Sequence, residues 1–221
     1  MSQTDSFIDE VTEEVRKDRL FALMRRYAWI AVLFVVLVVG GAAYKEWRSA
    51  QERNTAQALG DSVLAAMQVE DQAARAEALS EIEAPNPASR AMIDLLAASE
   101  LSATDPGAAA RRLIALADTA EVAPVYRQIA TLKAVGLPSS GLSVADRRAR
   151  LEGLALSGGM TRLLAEEQLA LLEIETGDTA AAVERLRAIV VDAEVTSGLL
   201  RRASQVIVAL GADLPEGGER R

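Results

Sequence analysis

The chain has neither cysteine nor histidine among its 221 residues. Without cysteine it can form no disulfide, no thiolate nucleophile and no cysteine-based zinc site. Without histidine it lacks the commonest general base and the commonest ligand of transition metals. We therefore expect no catalytic residues, no metal and no cofactor. Carboxylate chemistry stays open as an enzymatic alternative.

Aromatic residues are also scarce, at 4% of the chain, although 50% of the residues are hydrophobic. Alanine and leucine supply much of that hydrophobic half, and both are strong helix formers. The β-branched and aromatic clusters that favour strands are rare outside one stretch. This composition predicts an all-α protein.

Negative charge is unevenly distributed along the chain. Residues 1–49 hold seven acidic and seven basic side chains, whereas residues 50–221 hold 25 acidic and 17 basic ones. The second part therefore carries the whole net charge of −8. Nucleic-acid binding needs a basic surface, so we expect no nucleic-acid partner.

One apolar run, YAWIAVLFVVLVVGGAAY, covers residues 27–44 without a charged side chain. As a helix it would be roughly 27 Å long, which is close to the thickness of a bilayer core. Aromatic side chains lie near both of its edges, as they do at membrane interfaces. We predict a transmembrane helix, whose residues include Tyr27, Trp29, Phe34, Gly40 and Tyr44.

Five basic side chains lie shortly before this run and three lie shortly after it. This bias predicts that residues 1–26 lie in the cytoplasm and that residues 45–221 are exported. The alternative is a cleaved signal peptide, with Gly41-Ala42-Ala43 as a small-residue cleavage site. Because the leader is longer than the charged region of a signal peptide, we predict an uncleaved single-pass anchor.

The cytoplasmic leader, residues 1–26, is predicted to be an amphipathic helix. Phe7, Val11 and Val15 recur at four-residue spacing and form a narrow apolar stripe. Two interpretations stay open. The helix runs into the membrane with its stripe against lipid or another helix, or the stripe docks a membrane partner.

Four segments of the exported part share a pattern in which small residues precede a leucine on a charged helix. The spacings between these leucines are 34, 38 and 35 residues, and a further apolar residue follows each leucine by three positions. A period of this length predicts a degenerate α-solenoid of the tetratricopeptide type over residues 45–211, followed by a disordered tail at 212–221. The leucines that we assign to the repeat core are Leu79, Leu113, Leu151 and Leu186.

Hydrophobic periodicity and turn residues also predict the individual helices of this part. The predicted ranges are 45–69, 71–83, 88–102, 106–119, 124–135, 143–156, 160–175, 179–192 and 196–210.

Charged pairs within these helices are the remaining candidates for a chemical site. Adjacent carboxylates such as Glu166 and Glu167, and the pair Glu173 and Glu175, point in different directions on a helix. We interpret them as solvated helix faces, and we interpret the arginine runs at 111–112, 147–148 and 201–202 in the same way. No catalytic constellation and no small-molecule substrate are predicted.

The leader DSFIDEVTEEVRKDRL (residues 5–20), the span ending near Tyr44 and the degenerate repeats together resemble the bacterial YfgM-like family. That family is an ancillary subunit of the SecYEG translocon with a periplasmic tetratricopeptide-like domain. The resemblance implies an inner-membrane protein whose partners are translocon subunits and periplasmic chaperones, and which helps to hand over exported proteins.

These observations favour a non-enzymatic membrane-anchored scaffold that links protein export to periplasmic chaperones or clients. Solenoids bind proteins along an extended concave face, which supports this hypothesis. A cell-envelope structural or division-coordinating factor that self-associates through its repeats is the alternative, because solenoid surfaces also pack on each other. The oligomeric state and the residues that line the groove stay open.

Overall fold

A computed structural model of the chain describes the backbone of residues 3–215 and the side chains of residues 29, 30 and 33–215. Within this part all regular secondary structure is helical, which confirms the predicted all-α class. The helices are α1 (Gln3–Met67), α2 (Gln72–Glu81), α3 (Pro87–Thr104), α4 (Pro106–Ala117), α5 (Pro124–Gly136), α6 (Val144–Ala155), α7 (Gly159–Glu175), α8 (Thr179–Val191) and α9 (Ser197–Ala209).

The first helix is 65 residues long and continues without a break through the predicted leader, the predicted span and the first predicted helix of the exported part. Its three glycines, Gly40, Gly41 and Gly60, do not interrupt it, and the first proline of the chain is Pro85. The side chains of the leader stripe, Phe7, Val11 and Val15, lie outside the described residues, as does most of the predicted disordered tail.

Among the side chains that the structure describes, no helix contains a stretch that is long and apolar enough to cross a membrane. The side chains of Tyr27, Ala28, Ala31 and Val32, which belong to the predicted span, lie outside the described residues.

Local sequence signals explain where the shorter helices begin. Proline occupies the first turn of α3, α4 and α5, where its missing N–H costs no hydrogen bond. Most of these helices also have an N-cap side chain that accepts a hydrogen bond from a backbone N–H three residues later. These caps are Asp71, Asn86, Asp105, Ser143, Asp178 and Thr196.

Two compact units make up the chain, Met1–Ala58 and Leu59–Arg221. In the second unit each helix from α2 to α9 packs against the next one. In addition α3 contacts α5, and α5 contacts α7, so these three helices form a row. We call it the odd row.

The four repeat leucines occupy four separate clusters of buried side chains. Leu79, Leu113, Leu151 and Leu186 are each at most 1% exposed. The apolar residue three positions after each of them packs in the same cluster. Fully buried alanines fill much of the remaining space, for example Ala97, Ala130, Ala170 and Ala182, which lets neighbouring helices approach closely.

We expect Leu113→Ala and Leu186→Ala each to lower the free energy of unfolding by about 2–5 kcal/mol, because each leaves a cavity in its own cluster. Leu156→Ala is the matched control, since the Leu156 side chain is 90% exposed. Chemical denaturation followed by circular dichroism measures the difference. Equal stability of Leu113→Ala and Leu156→Ala would contradict the packing described here.

Candidate functional site

The described part of the predicted span is apolar and exposed on every side of α1. Trp29, Phe34 and Tyr44 are 64%, 66% and 61% exposed, and every side chain from residue 33 to residue 44 is exposed. A methyl group added at Gly40 would meet no atom within 4 Å. An exposed helix that is apolar all round is typical of a segment that needs an apolar environment outside its own chain.

The surface of α1 changes from apolar to polar after Tyr44. The Tyr44 and Trp47 rings lie 6.1 Å apart at their centroids, and the residues that follow are polar. Arg48 donates a hydrogen bond to Glu52 at 3.2 Å, and Arg53 donates one to Glu46 at 2.7 Å. These exposed ion pairs stabilise a solvated helix by a few tenths of a kcal/mol each.

The prediction that the carboxylates of α7 are all solvated is wrong. Glu173 is only 4% exposed, and it accepts hydrogen bonds from the guanidinium group of Arg185, the shortest at 2.8 Å. Arg185 also donates to Glu166, and Arg148 lies 3.8 Å from Glu173. Glu175 agrees better with the prediction, because about half of its side chain is exposed.

Each of the three arginine runs that were predicted to lie on solvated faces contains an arginine that instead joins helices. Arg112 on α4 donates to Ser80 Oγ at 2.6 Å and lies 3.8 Å from Asp94 on α3. Arg147 binds Glu175 through two hydrogen bonds of 2.8 and 2.9 Å. Arg202 binds Glu167 in the same way, at 2.7 and 2.8 Å.

Further ion pairs between elements were not predicted at all. Their partners are 25 to 32 residues apart in the sequence, which no short motif reveals. One signal was present, since an arginine immediately precedes the repeat leucine in three of the four repeats, as Arg112, Arg150 and Arg185. The additional pairs are Arg75–Glu100, Arg150–Asp118, Arg162–Asp192 and Arg162–Glu194.

The ion pairs perturb the protonation equilibria of their members. A hydrogen bond from Arg150 holds the pKa of Asp118 below its usual value. The backbone N–H of Glu194, with help from Arg162, lowers the pKa of Asp192. Hydrogen bonding to Glu173, and to a smaller extent to Glu166, raises the pKa of Arg185. Asp118 and Asp192 therefore stay ionised near neutral pH.

Arginine side chains bind several of these carboxylates, including Asp118, Asp192 and Glu173. A general acid or base needs a pKa near the working pH, whereas the pKa values of Asp118 and Asp192 are lowered. In the part of the chain whose side chains are described, no group of three or more acidic residues is placed to hold a metal ion. The Arg185–Glu173 and Arg202–Glu167 ion pairs each connect two helices.

Open grooves lie between helices of the Leu59–Arg221 unit. A groove of about 350 Å³ between α7 and α8 is lined by the ion-paired residues Arg162, Glu166 and Arg185. A larger groove of about 830 Å³ lies between α7 and α9, where the Glu167–Arg202 pair borders apolar side chains. A third, of about 360 Å³, lies between α3 and α5.

Exposed apolar side chains are frequent on the odd row. Met92 and Leu96 on α3, Val125 and Ile129 on α5, and Leu171 on α7 are all exposed. By contrast, the exposed positions of α2 and α6 include Glu77, Glu81, Asp146 and Glu152. The exposed surface of α3 and α5 is therefore more apolar than that of α2 and α6.

Comparisons of the chain with protein-family models, with curated proteins and with solved structures gave no match.

Replacing Arg185, the main partner of the buried Glu173, should destabilise the protein. We expect Arg185→Met to lower the free energy of unfolding by about 3 kcal/mol, because it leaves the buried Glu173 carboxylate without its main partner. Arg201→Met, at an exposed position of α9, is the control and should change stability little. Urea denaturation measures both. The double variant Arg185→Met/Glu173→Leu should recover stability, and a loss greater than that of Arg185→Met would argue against this account.

The Arg150–Asp118 pair predicts a pH dependence of stability. Because the folded pKa of Asp118 lies below its unfolded value, the stabilisation is present above the unfolded pKa and is lost as the pH falls through the folded pKa. We expect Arg150→Gln to raise the Asp118 pKa toward the usual value of about 3.9. A carboxyl titration by NMR measures this pKa, and an unchanged value in the variant would contradict the assignment.

Proposed function

We propose that residues 27–44 anchor the chain in a bacterial inner membrane as a single transmembrane helix, with residues 1–26 in the cytoplasm and residues 45–221 in the periplasm. The exposed apolar surface around Phe34 is the observation that supports this most strongly, since water would solvate it at a large cost. The absence of charge over residues 27–44 and the excess of basic side chains before them support the same topology.

The exported part is proposed to be a degenerate tetratricopeptide-like α-solenoid that serves as a non-enzymatic scaffold. The 34–38-residue spacing of the repeat leucines and the packing of each helix on the next support a solenoid. The exposed apolar side chains of the odd row support protein binding, because such surfaces in soluble domains commonly mark interaction sites.

We further propose that the scaffold belongs with the YfgM-like proteins that it resembles, and that its partners are translocon subunits in the membrane and chaperones or clients in the periplasm. The leader sequence of residues 5–20 and the order of leader, span and repeats support this proposal. A self-associating structural factor of the cell envelope is the alternative function, because the apolar odd row also suits contact between copies.

A topology measurement tests the first part of the proposal. A reporter that is active only outside the cytoplasm should be active when it is fused after Leu210. The same reporter fused at the N-terminus should be inactive, because the positive side chains retain residues 1–26 inside. Activity at the N-terminus with none after Leu210 would reverse the orientation, and activity at neither position would refute the anchor.

Exchange of the anchor tests whether two separate binding surfaces exist. Replacing residues 1–44 by an unrelated anchor of the same orientation should release co-purifying membrane proteins and keep the soluble periplasmic partner. Deleting residues 88–210 should have the opposite effect. Mass spectrometry after affinity purification in mild detergent measures both. If the exchanged anchor retains every membrane protein, residues 1–44 only tether the chain; if purification yields further copies of the chain alone, the self-associating factor is favoured.

A further inference from the structure

An exposed apolar face covers α3 and α5. Its four large side chains are Met92, Leu96, Val125 and Ile129, with exposed fractions of 54%, 37%, 54% and 40%. A groove of about 360 Å³ lies between the two helices. It is lined by Met92, Leu95, Leu96, Ser99, Ile129 and Lys133. Several apolar side chains exposed together in this way mark a surface that a partner covers. We call it the α3–α5 face.

Charge is nearly absent from this face. The exposed residues within the two helices include one charged side chain, that of Lys133. Elsewhere the Leu59–Arg221 unit is acidic, and its charge is concentrated at one end. Residues 59–85 contain six acidic residues and one basic residue, so this short segment carries −5 of the net −8.

The acidic groups at that end are exposed and uncompensated. Glu70, Glu77, Glu81 and Glu83 make no ion pair within the part of the chain that the structure describes. This differs from α7, whose carboxylates are bound by arginines. We call these four glutamates the acidic end; Glu77 and Glu81 lie on α2, which packs directly on the helix that carries Met92 and Leu96.

We propose that the α3–α5 face binds an apolar polypeptide segment that is flanked by lysine or arginine residues. This inference rests on the proposed scaffold function and names the chemistry of its partner. The apolar part would bury the four exposed side chains, and the basic flank would lie at the acidic end. The flexible thioether of Met92 suits apolar segments of differing shape.

Charge complementarity favours a segment with basic flanks over a second copy of the chain and over a segment with acidic flanks. A second copy of the chain would bring another acidic end and the same net charge of −8, which opposes association over long range. Acidic residues that lie at the acidic end would be repelled in the same way. A basic flank is attracted, and the attraction should weaken as salt screens it.

Site-specific crosslinking tests the proposal in the full chain, held in phosphatidylcholine nanodiscs whose lipid carries no net charge. Photoreactive benzoylphenylalanine replaces Ile129 in one variant and Val191, a 63% exposed residue of α8, in the matched control. The probes are three synthetic 16-residue peptides. One has a leucine-rich centre with lysine flanks, one has the same centre with glutamate flanks, and one has lysine flanks around a glycine–serine centre.

The peptide with the leucine-rich centre and lysine flanks should crosslink at position 129 and not at position 191, and the other two peptides should crosslink much less. Joint replacement of the four glutamates by glutamine should weaken its binding roughly tenfold at low salt, if each charge contributes a few tenths of a kcal/mol. Glu152→Gln/Glu184→Gln, at two exposed acidic positions away from the acidic end, should leave binding unchanged.

Equal crosslinking at both positions, or a preference for the glutamate-flanked peptide, would overturn the proposal. Crosslinks between two copies of the chain at position 129 that the peptide does not displace would assign the face to self-association instead. Failure of the topology measurement together with specific crosslinking at position 129 would refute the anchor and leave the α3–α5 face in place. A topology measurement with the expected result, together with no specific crosslinking at position 129, would refute the α3–α5 face and leave the anchor in place.

Discussion

Close packing of one leucine per repeat against alanine-rich helix faces is the constraint on which the Leu59–Arg221 unit depends. Leu79, Leu113, Leu151 and Leu186 lie in four different clusters, and each has its own apolar partner three residues later. Alanines among the neighbouring buried residues let the helix backbones approach closely, and further large side chains, such as Ile93, Leu169 and Leu199, fill the rest of each cluster. Each cluster therefore resembles a small independent core that is linked to the next one through a shared helix.

Arginine–carboxylate pairs connect these small cores. The Arg185–Glu173 pair joins α8 to α7, and the Arg112–Asp94 contact joins α4 to α3, in both cases next to a repeat leucine. Such pairs contribute little stability compared with an apolar contact of the same size, but they penalise any helix arrangement that leaves a buried carboxylate without its arginine. They consequently favour one arrangement of helices that the alanine-rich faces alone would specify weakly.

The helix boundaries were predictable because they depend on local signals, whereas the ion pairs and the surface character depend on tertiary contacts. Asp105 and Pro106, for example, begin α4 through interactions within four residues. Glu173 and Arg185 are instead brought together by the packing of two helices, so their burial could not be read from adjacent charges in the sequence. The same limit applies to Met92 and Ile129, since periodicity indicates that a residue is apolar but not whether a neighbouring helix covers it.

The pairing of carboxylates with arginines also determines where uncompensated negative charge lies on the unit. Between α3 and α9 many acidic groups have a basic partner, such as Asp118 with Arg150, while residues 59–85 contain a single arginine, Arg75, which is already bound to Glu100. Most of the net charge, −5 of −8, therefore lies at one end of the unit. A polypeptide bound along the odd row would meet an acidic environment at one end and an almost neutral one beyond it, so its own charge asymmetry would set the direction in which it binds.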